Sequence, residues 1–301
     1  GRLTGAQYSN RGLRRVLTET FDPTAKLGDL AKKVLIVTFD LDNQDPDPAR
    51  RTWKAKFYHN YAGVDSDAGA NVVDVAMYTS AAPTYFPSAD GYIDGGVVAS
   101  NPSMAALAQA LDSRNRFDPP DTRPTLDDIV LLSLGTGKVL QFIESGPNND
   151  LDWGQAQWVQ PLISLMLDGL NGIADFQCKQ LLNQRYRRLA PVFPANFKMD
   201  MDEVGKMPDL VKFGETPAMQ TAIQEVATWL QQQQVFRVTN AVRMRYYEIL
   251  GAQRQVELTE KLKGIAENAA TIADKLLASG EGTKPDKLQA EIEVGQAQIL
   301  L

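Results

Sequence analysis

The 301-residue sequence predicts an α/β chain: a mixed central sheet flanked by helices, with a mostly helical C-terminal region. Three observations carry that prediction. Residues 34–39 and 129–134 are short apolar runs bounded by turn signals, the pattern of core strands. Residues 71–82 and 102–111 lie between them with apolar positions near helical spacing. From about residue 155 onward the apolar spacing is helical almost throughout.

Composition sets the outer bounds. With 44% apolar and 23% charged residues, the chain can fill a core, which argues against wholesale disorder. Its apolar runs are too short for a membrane span or a signal-peptide core, and a start at Gly1 leaves an upstream targeting segment open. One cysteine, Cys178, excludes an internal disulfide framework and a multi-cysteine zinc site. One histidine, His59, excludes clustered-histidine metal sites and makes any Ser-His-Asp triad depend on it. A net charge of −6 argues against a nucleic-acid partner held by phosphate neutralisation.

Residues 1–32 read as a lead-in with a helix-like stretch through Leu17, punctuated by Asp22-Pro23. The β-branched run 34–39 reads as a buried strand. Residues 43–48 form a polar, proline-containing bend. After it, Trp53, Ala55 and Phe57 alternate with Lys54, Lys56 and Tyr58, a half-exposed strand that can pair back on the first. Pro83 and Pro87 end the 71–82 helix. The 102–111 helix has Asn101 as N-cap, Pro102 at its first position, and Met104, Leu107, Ala108 and Leu111 on one face. The 129–134 strand stops at Gly135-Thr136-Gly137. Leu162, Met166, Leu170 and Ile173 make a helical stripe, expected as core, with lipid contact as the other reading. Arg185, Arg187 and Arg188 read as a solvated helix end or as partners of anionic headgroups. Leu258, Leu262, Ile265, Ala269, Ile272 and Leu276 form a heptad-like seam under three heptads long, broken at 280–285. The division falls between residues 1–235, an α/β domain, and 236–301, a helical extension that offers a route to homo-oligomers.

The chemistry-bearing stretch begins at Ser80-Ala81-Ala82-Pro83-Thr84-Tyr85-Phe86-Pro87 and continues through Tyr92-Ile93-Asp94-Gly95-Gly96 to Asn101-Pro102. Asp94 follows a short strand and precedes two glycines, which let backbone approach closely. Alone, Asp-Gly-Gly reads as a common turn. His59, on a strand end, reads as a surface or edge residue, Cys178 as packing, and Ser9 and Ser133 as structural. Gly135-Thr136-Gly137-Lys138 lacks the rest of a phosphate loop, so no nucleotide site is assigned there. The pairs Asp40/Asp42, Asp65/Asp67 and Asp127/Asp128 lack calcium-loop spacing and read as turns.

Taken together, the two blocks above and the later Leu132-Ser133-Leu134-Gly135-Thr136-Gly137 resemble, in the same order, three blocks of the patatin-like phospholipase family. The resemblance covers roughly residues 5–190. It implies a patatin-like α/β sandwich and a lipid acyl hydrolase that uses a serine–aspartate dyad. Asp94 is then the dyad base, and Gly95 and Gly96 form the active-site loop. It implies no metal or organic cofactor. The implied partner is a phospholipid or glycolipid at a membrane surface, with no nucleic acid. The expected location is the cytoplasm or the membrane periphery, with export left open.

One departure is large. The family nucleophile lies in Gly-x-Ser-x-Gly, a strand-to-helix elbow. None of the eleven serines here has glycine at both −2 and +2, and the family's glycine-rich oxyanion segment is missing too. The simplest expectation is a C-terminal portion of a longer protein. Delivery of the serine by a second polypeptide, and a non-catalytic interaction or regulatory module keeping part of the fold, stay open.

Overall fold

The computed structural model describes residues 5–119, 122–144, 146, 151–197, 199–200, 202–279 and 284–299. The chain divides into two compact units, residues 1–228 and 229–301.

In the first unit, α1 (Asn10–Thr20) precedes β1 (Leu35–Asp40) and β2 (Lys54–His59). These strands pair antiparallel as expected, Val37 opposite Phe57. Next come α2 (Val72–Thr79), β3 (Tyr92–Asp94), the four-residue α3 (Gly96–Ala99) and α4 (Ser103–Leu111). The Asn71 carboxamide caps α2 by accepting from the Val73 and Asp74 N–H groups. Asn101 does the same for the Ser103 N–H, and Pro102 sits one place earlier than expected, at the N-cap. Strands β4 (Leu131–Leu134) and β5 (Lys138–Val139) follow, then α5 (Gln155–Leu182), β6 (Tyr186–Leu189), β7 (Val192–Phe193) and α6 (Met207–Gly214).

Among the described residues the strands do not form the single mixed sheet expected from the sequence. They lie in a three-stranded antiparallel sheet, β2-β1-β3, and two parallel pairs, β4-β6 and β5-β7. β4 pairs instead with β6, later in the chain. That partner corrects the reading of the arginines. Arg187 and Arg188 belong to β6, where Arg187 pairs with Glu225 at 2.8 Å and Arg188 donates to the Ser133 hydroxyl at 2.6 Å. Arg185 bonds the Leu126 carbonyl and Asp127.

Among the described residues, three small clusters make the core. Leu27, Tyr58, Val72 and Val75 close one face of the antiparallel sheet. Leu107, Cys178, Leu182 and Tyr186 join α4, α5 and β6. Met77, Ala81 and Ala89 receive Leu13 and Leu17 from α1. β2 is half-exposed, as read, whereas the core reading of the α5 stripe fails. On β2 the lysine-bearing side faces the core, because Tyr58 packs inward and Lys56 lies over its ring at 4.6 Å, while Trp53 is 71% exposed. On α5 the Leu162, Leu165, Met166 and Ile173 side chains are exposed, not core; Ala174, Cys178 and Leu182 carry the burial.

The second unit holds most of α7 (Pro217–Ser279) and α8 (Lys284–Ile299), joined by a Lys287–Asp274 ion pair at 2.7 Å. Leu258, Leu262, Ile265, Ile272 and Leu276 of the seam are exposed. Residues 280–283 of the expected break lie outside the described residues.

Candidate active site

Asp94 is the last residue of β3, opposite Thr38 of β1. Its backbone N–H donates to the Ala81 carbonyl at 3.1 Å, so the Ser80–Pro87 block and the Asp-Gly-Gly block support one another directly. Beneath the strand, Tyr78 stacks on Tyr92 at 4.6 Å and donates from its hydroxyl to Asp90 at 2.9 Å. This fixes the approach to the turn.

Gly95 is glycine for a steric reason. A Cβ there would penetrate the Val37 carbonyl group of the neighbouring strand, which also accepts the Thr79 hydroxyl at 2.7 Å. Its own carbonyl accepts the Val98 and Ala99 N–H groups and starts α3. The Gly96 N–H donates to Asp94 Oδ1 at 2.6 Å. That one bond orients the carboxylate and, among the described residues, is the hydrogen bond recorded to it. Burial raises the Asp94 pKa above the ordinary carboxylate range, and the Gly96 bond offsets part of that rise. A half-buried carboxylate so placed can take up a proton closer to neutrality than a solvated one.

Sequence reasoning missed the polar joint behind the turn. At the α3–α4 corner, buried Asn101 accepts the Ser103 hydroxyl at 2.6 Å and the Ser133 hydroxyl at 3.3 Å. Its amide donates to the Asn171 carbonyl of α5 at 3.4 Å. Arg188 completes the cluster through Ser133. The available signal was a serine inside an apolar strand, which needs a partner once buried. Ser133 is therefore structural, as read, and serves as a junction between β4, β6 and the corner.

No serine of the chain is brought into hydrogen-bond contact with Asp94 among the described residues. Ser100 reaches the same turn but donates to the Gly96 carbonyl at 2.8 Å. Of the surface and edge readings of His59, the edge one holds and the surface one does not, because it is only 3% exposed. It sits on the edge strand β2 with Nε2 3.8 Å from Asp65, and no partner is recorded for Nδ1. It lies two strands over and three register positions along from Asp94, roughly 14 Å by strand geometry, so the two do not form a catalytic pair. Four members of the acidic pairs face cations, Asp42 with Arg51, Asp65 with Arg114, Asp67 with Lys56 and Asp127 with Arg185, while Asp40 accepts the Asp42 N–H and Asp128 the Thr125 N–H.

Fold and turn thus define an α/β chain that presents one half-buried carboxylate at a strand-to-helix turn. Known proteins share its sequence. The chain is 29% identical over 188 residues to a cGAMP-activated phospholipase of Pseudomonas aeruginosa, covering 60% of this chain and 50% of that protein. It is 28% identical over 223 residues to the putative sporulation hydrolase CotR of Bacillus subtilis, covering 66% of each. With patatin-like protein 3 of Arabidopsis thaliana it shares 26% over 198 residues, 58% of this chain and 44% of that one. The matched region spans 44% to 66% of the length of these relatives. No family model matches. The likenesses support the patatin-like phospholipase family to which the three sequence blocks point.

Proposed function

We propose that this chain carries the acid–base half of a lipid acyl ester hydrolase. The observation that supports it most is Asp94, a carboxylate with a raised pKa, set on a turn where Gly95 cannot be replaced without moving the adjoining strand. The names of the relatives supply the substrate class: phospholipase, hydrolase and patatin-like protein.

In this reading a serine on a segment outside these residues attacks the ester carbonyl. The Asp94 carboxylate accepts the serine proton as the oxygen–carbon bond forms. The alcohol leaves with that proton; water, deprotonated by the same carboxylate, then attacks the acyl-enzyme, and the serine oxygen takes the proton back from Asp94 as the acid is released. The Gly96 N–H holds the carboxylate in one orientation through both steps. Lipid at a membrane surface is the substrate. The exposed Leu162, Ile163, Leu165 and Met166 of α5, with Leu140 and Phe142, supply apolar surface for it. No described helix is long and apolar enough to cross a membrane.

The test is hydrolysis of a fluorogenic acyl ester, with fluorophosphonate labelling and peptide mapping, by the protein that carries this sequence. Labelling of one serine outside these residues, with hydrolysis lost in Asp94→Asn, is the expected result. Undiminished hydrolysis by Asp94→Asn overturns the assignment.

A further inference from the structure

We propose that Tyr8 is a positioning residue for Asp94: residues 7–10 form a strap that holds the strained loop 81–89, and through that loop the Asp94 carboxylate, in place. Thr84 carries the strain. It is exposed and has φ +75°, a left-handed backbone that a β-branched residue adopts only when its surroundings force it. Left to itself, Thr84 relaxes toward extended backbone and swings the loop.

The strap opposes that relaxation. The Gln7 N–H donates to the Thr84 carbonyl at 3.0 Å and the Tyr8 N–H to the Tyr85 carbonyl at 2.8 Å. The Asn10 amide donates to the Ser88 carbonyl at 3.2 Å. The Tyr8 ring lies against Phe86 with centroids 5.8 Å apart. Asp202, 194 residues further along the chain, locks the strap by accepting the Tyr8 hydroxyl at 2.7 Å and the Gln7 amide as well. The strap runs straight into α1, whose Leu13 and Leu17 pack on the buried Met77, Ala81 and Ala89. Its anchor is therefore core.

The loop in turn grips β3 at two points. The Ala81 carbonyl accepts the Asp94 N–H at 3.1 Å, and Ala89 and Tyr92 exchange both backbone bonds at 2.9 Å. Inside the loop, the Ala82 carbonyl accepts the Tyr85 and Phe86 N–H groups. A shift at Thr84 thus reaches the backbone of Asp94 through a few bonded residues. A base works only within hydrogen-bond reach of the proton it takes. The Gly96 N–H sets the orientation of the carboxylate, and the strap sets its position. The effect on turnover rests on the hydrolase reading; the effect on the Asp94 backbone does not.

Two measurements on the protein that carries this sequence test the strap: steady-state hydrolysis of a fluorogenic acyl ester, and amide hydrogen exchange resolved at Asp94. Tyr8→Ala is expected to speed exchange of the Asp94 N–H roughly tenfold, the worth of about one hydrogen bond, with exchange in α4 and α5 unchanged. It lowers kcat about ten- to a hundredfold at unchanged KM, the cost of a base displaced by up to about an ångström. Asp202→Ala gives a smaller loss of the same kind, because the main-chain bonds of the strap remain. Thr84→Gly removes the strain, since glycine takes a left-handed backbone freely. In that background Tyr8→Ala loses most of its effect on both readouts. The rescue separates positioning from general support of the fold, which Thr84→Gly would not restore. Should Tyr8→Ala fail to fold, Asp202→Ala with and without Thr84→Gly makes the same comparison. A wild type that cleaves no ester removes the hydrolase reading, and exchange at Asp94 still decides the strap. Unaltered Asp94 exchange in a folded Tyr8→Ala, or equal losses in the wild-type and Thr84→Gly backgrounds, overturns it.

Discussion

Two glycine turns end two strands of this molecule for different reasons. At Asp94-Gly95-Gly96 the backbone is in ordinary helical space, φ −68° at Gly95, and the demand for glycine comes from the Val37 carbonyl behind it. At Gly135-Thr136-Gly137 the demand comes from a positive φ and from the edge of an aromatic ring. The first obstacle is sheet backbone, which cannot give. The second is a side chain, which can rotate. The first turn holds a polar group in one place, and the second makes room for apolar contact.

The largest test of the contrast is chemical. Asp94→Asn is expected to lower ester hydrolysis by about 10²–10⁴-fold, the usual worth of a positioned base, with the fold retained by circular dichroism. A matched loss from Gly137→Ala would erase the distinction between the turns. Next comes Gly95→Ala, expected to cost about 3 kcal/mol in denaturant unfolding, at the upper end of overpacking effects, because β1 must shift. Asn101→Ala leaves the Ser103 and Ser133 hydroxyls short of an acceptor and is expected to cost about 1–3 kcal/mol. Gly137→Ala is expected to cost about 1–2 kcal/mol, the price of a left-handed backbone, with Phe193 rotating aside.

The smallest effect is the most specific. The folded state holds the Asp94 proton more tightly than the unfolded chain does. That contribution to stability is complete below the ordinary carboxylate pKa and is lost as pH rises through the raised value. The melting temperature of Asp94→Asn relative to wild type should therefore climb from acid to neutral pH. A difference that is flat across that window would show that burial does not perturb the carboxyl.

Much of this was legible in the sequence where local chemistry decides. The β-branched run of β1, the Asn101 cap and the Asp94 turn are each set by neighbours within a few residues. Partners distant in the chain were not legible. β6 reads as an arginine-rich helix end because its parallel partner, β4, lies more than 50 residues earlier. The inward side of β2 was hidden because Tyr58 outweighs two lysines only when Leu27, Val72 and Val75 are already in place. On α5, hydrophobicity alone did not separate a core helix from one that leaves its apolar side chains uncovered. His59 reads as a surface or edge residue, and its burial was hidden because nothing local shows the Asp65–Arg114 pair beside it.

The solitary thiol has a practical consequence. Cys178 is fully buried against Leu107 and Leu182, and burial raises its pKa, so little thiolate is available to an alkylating reagent in the folded protein. For labelling purposes the native chain behaves as cysteine-free. A cysteine introduced at Phe142 or Ala195 would carry a spin label or fluorophore at a single defined position without removing any native residue elsewhere. In the unaltered chain the same reagent would serve as a clock, because Cys178 reacts only as fast as the packing of α4, α5 and β6 opens.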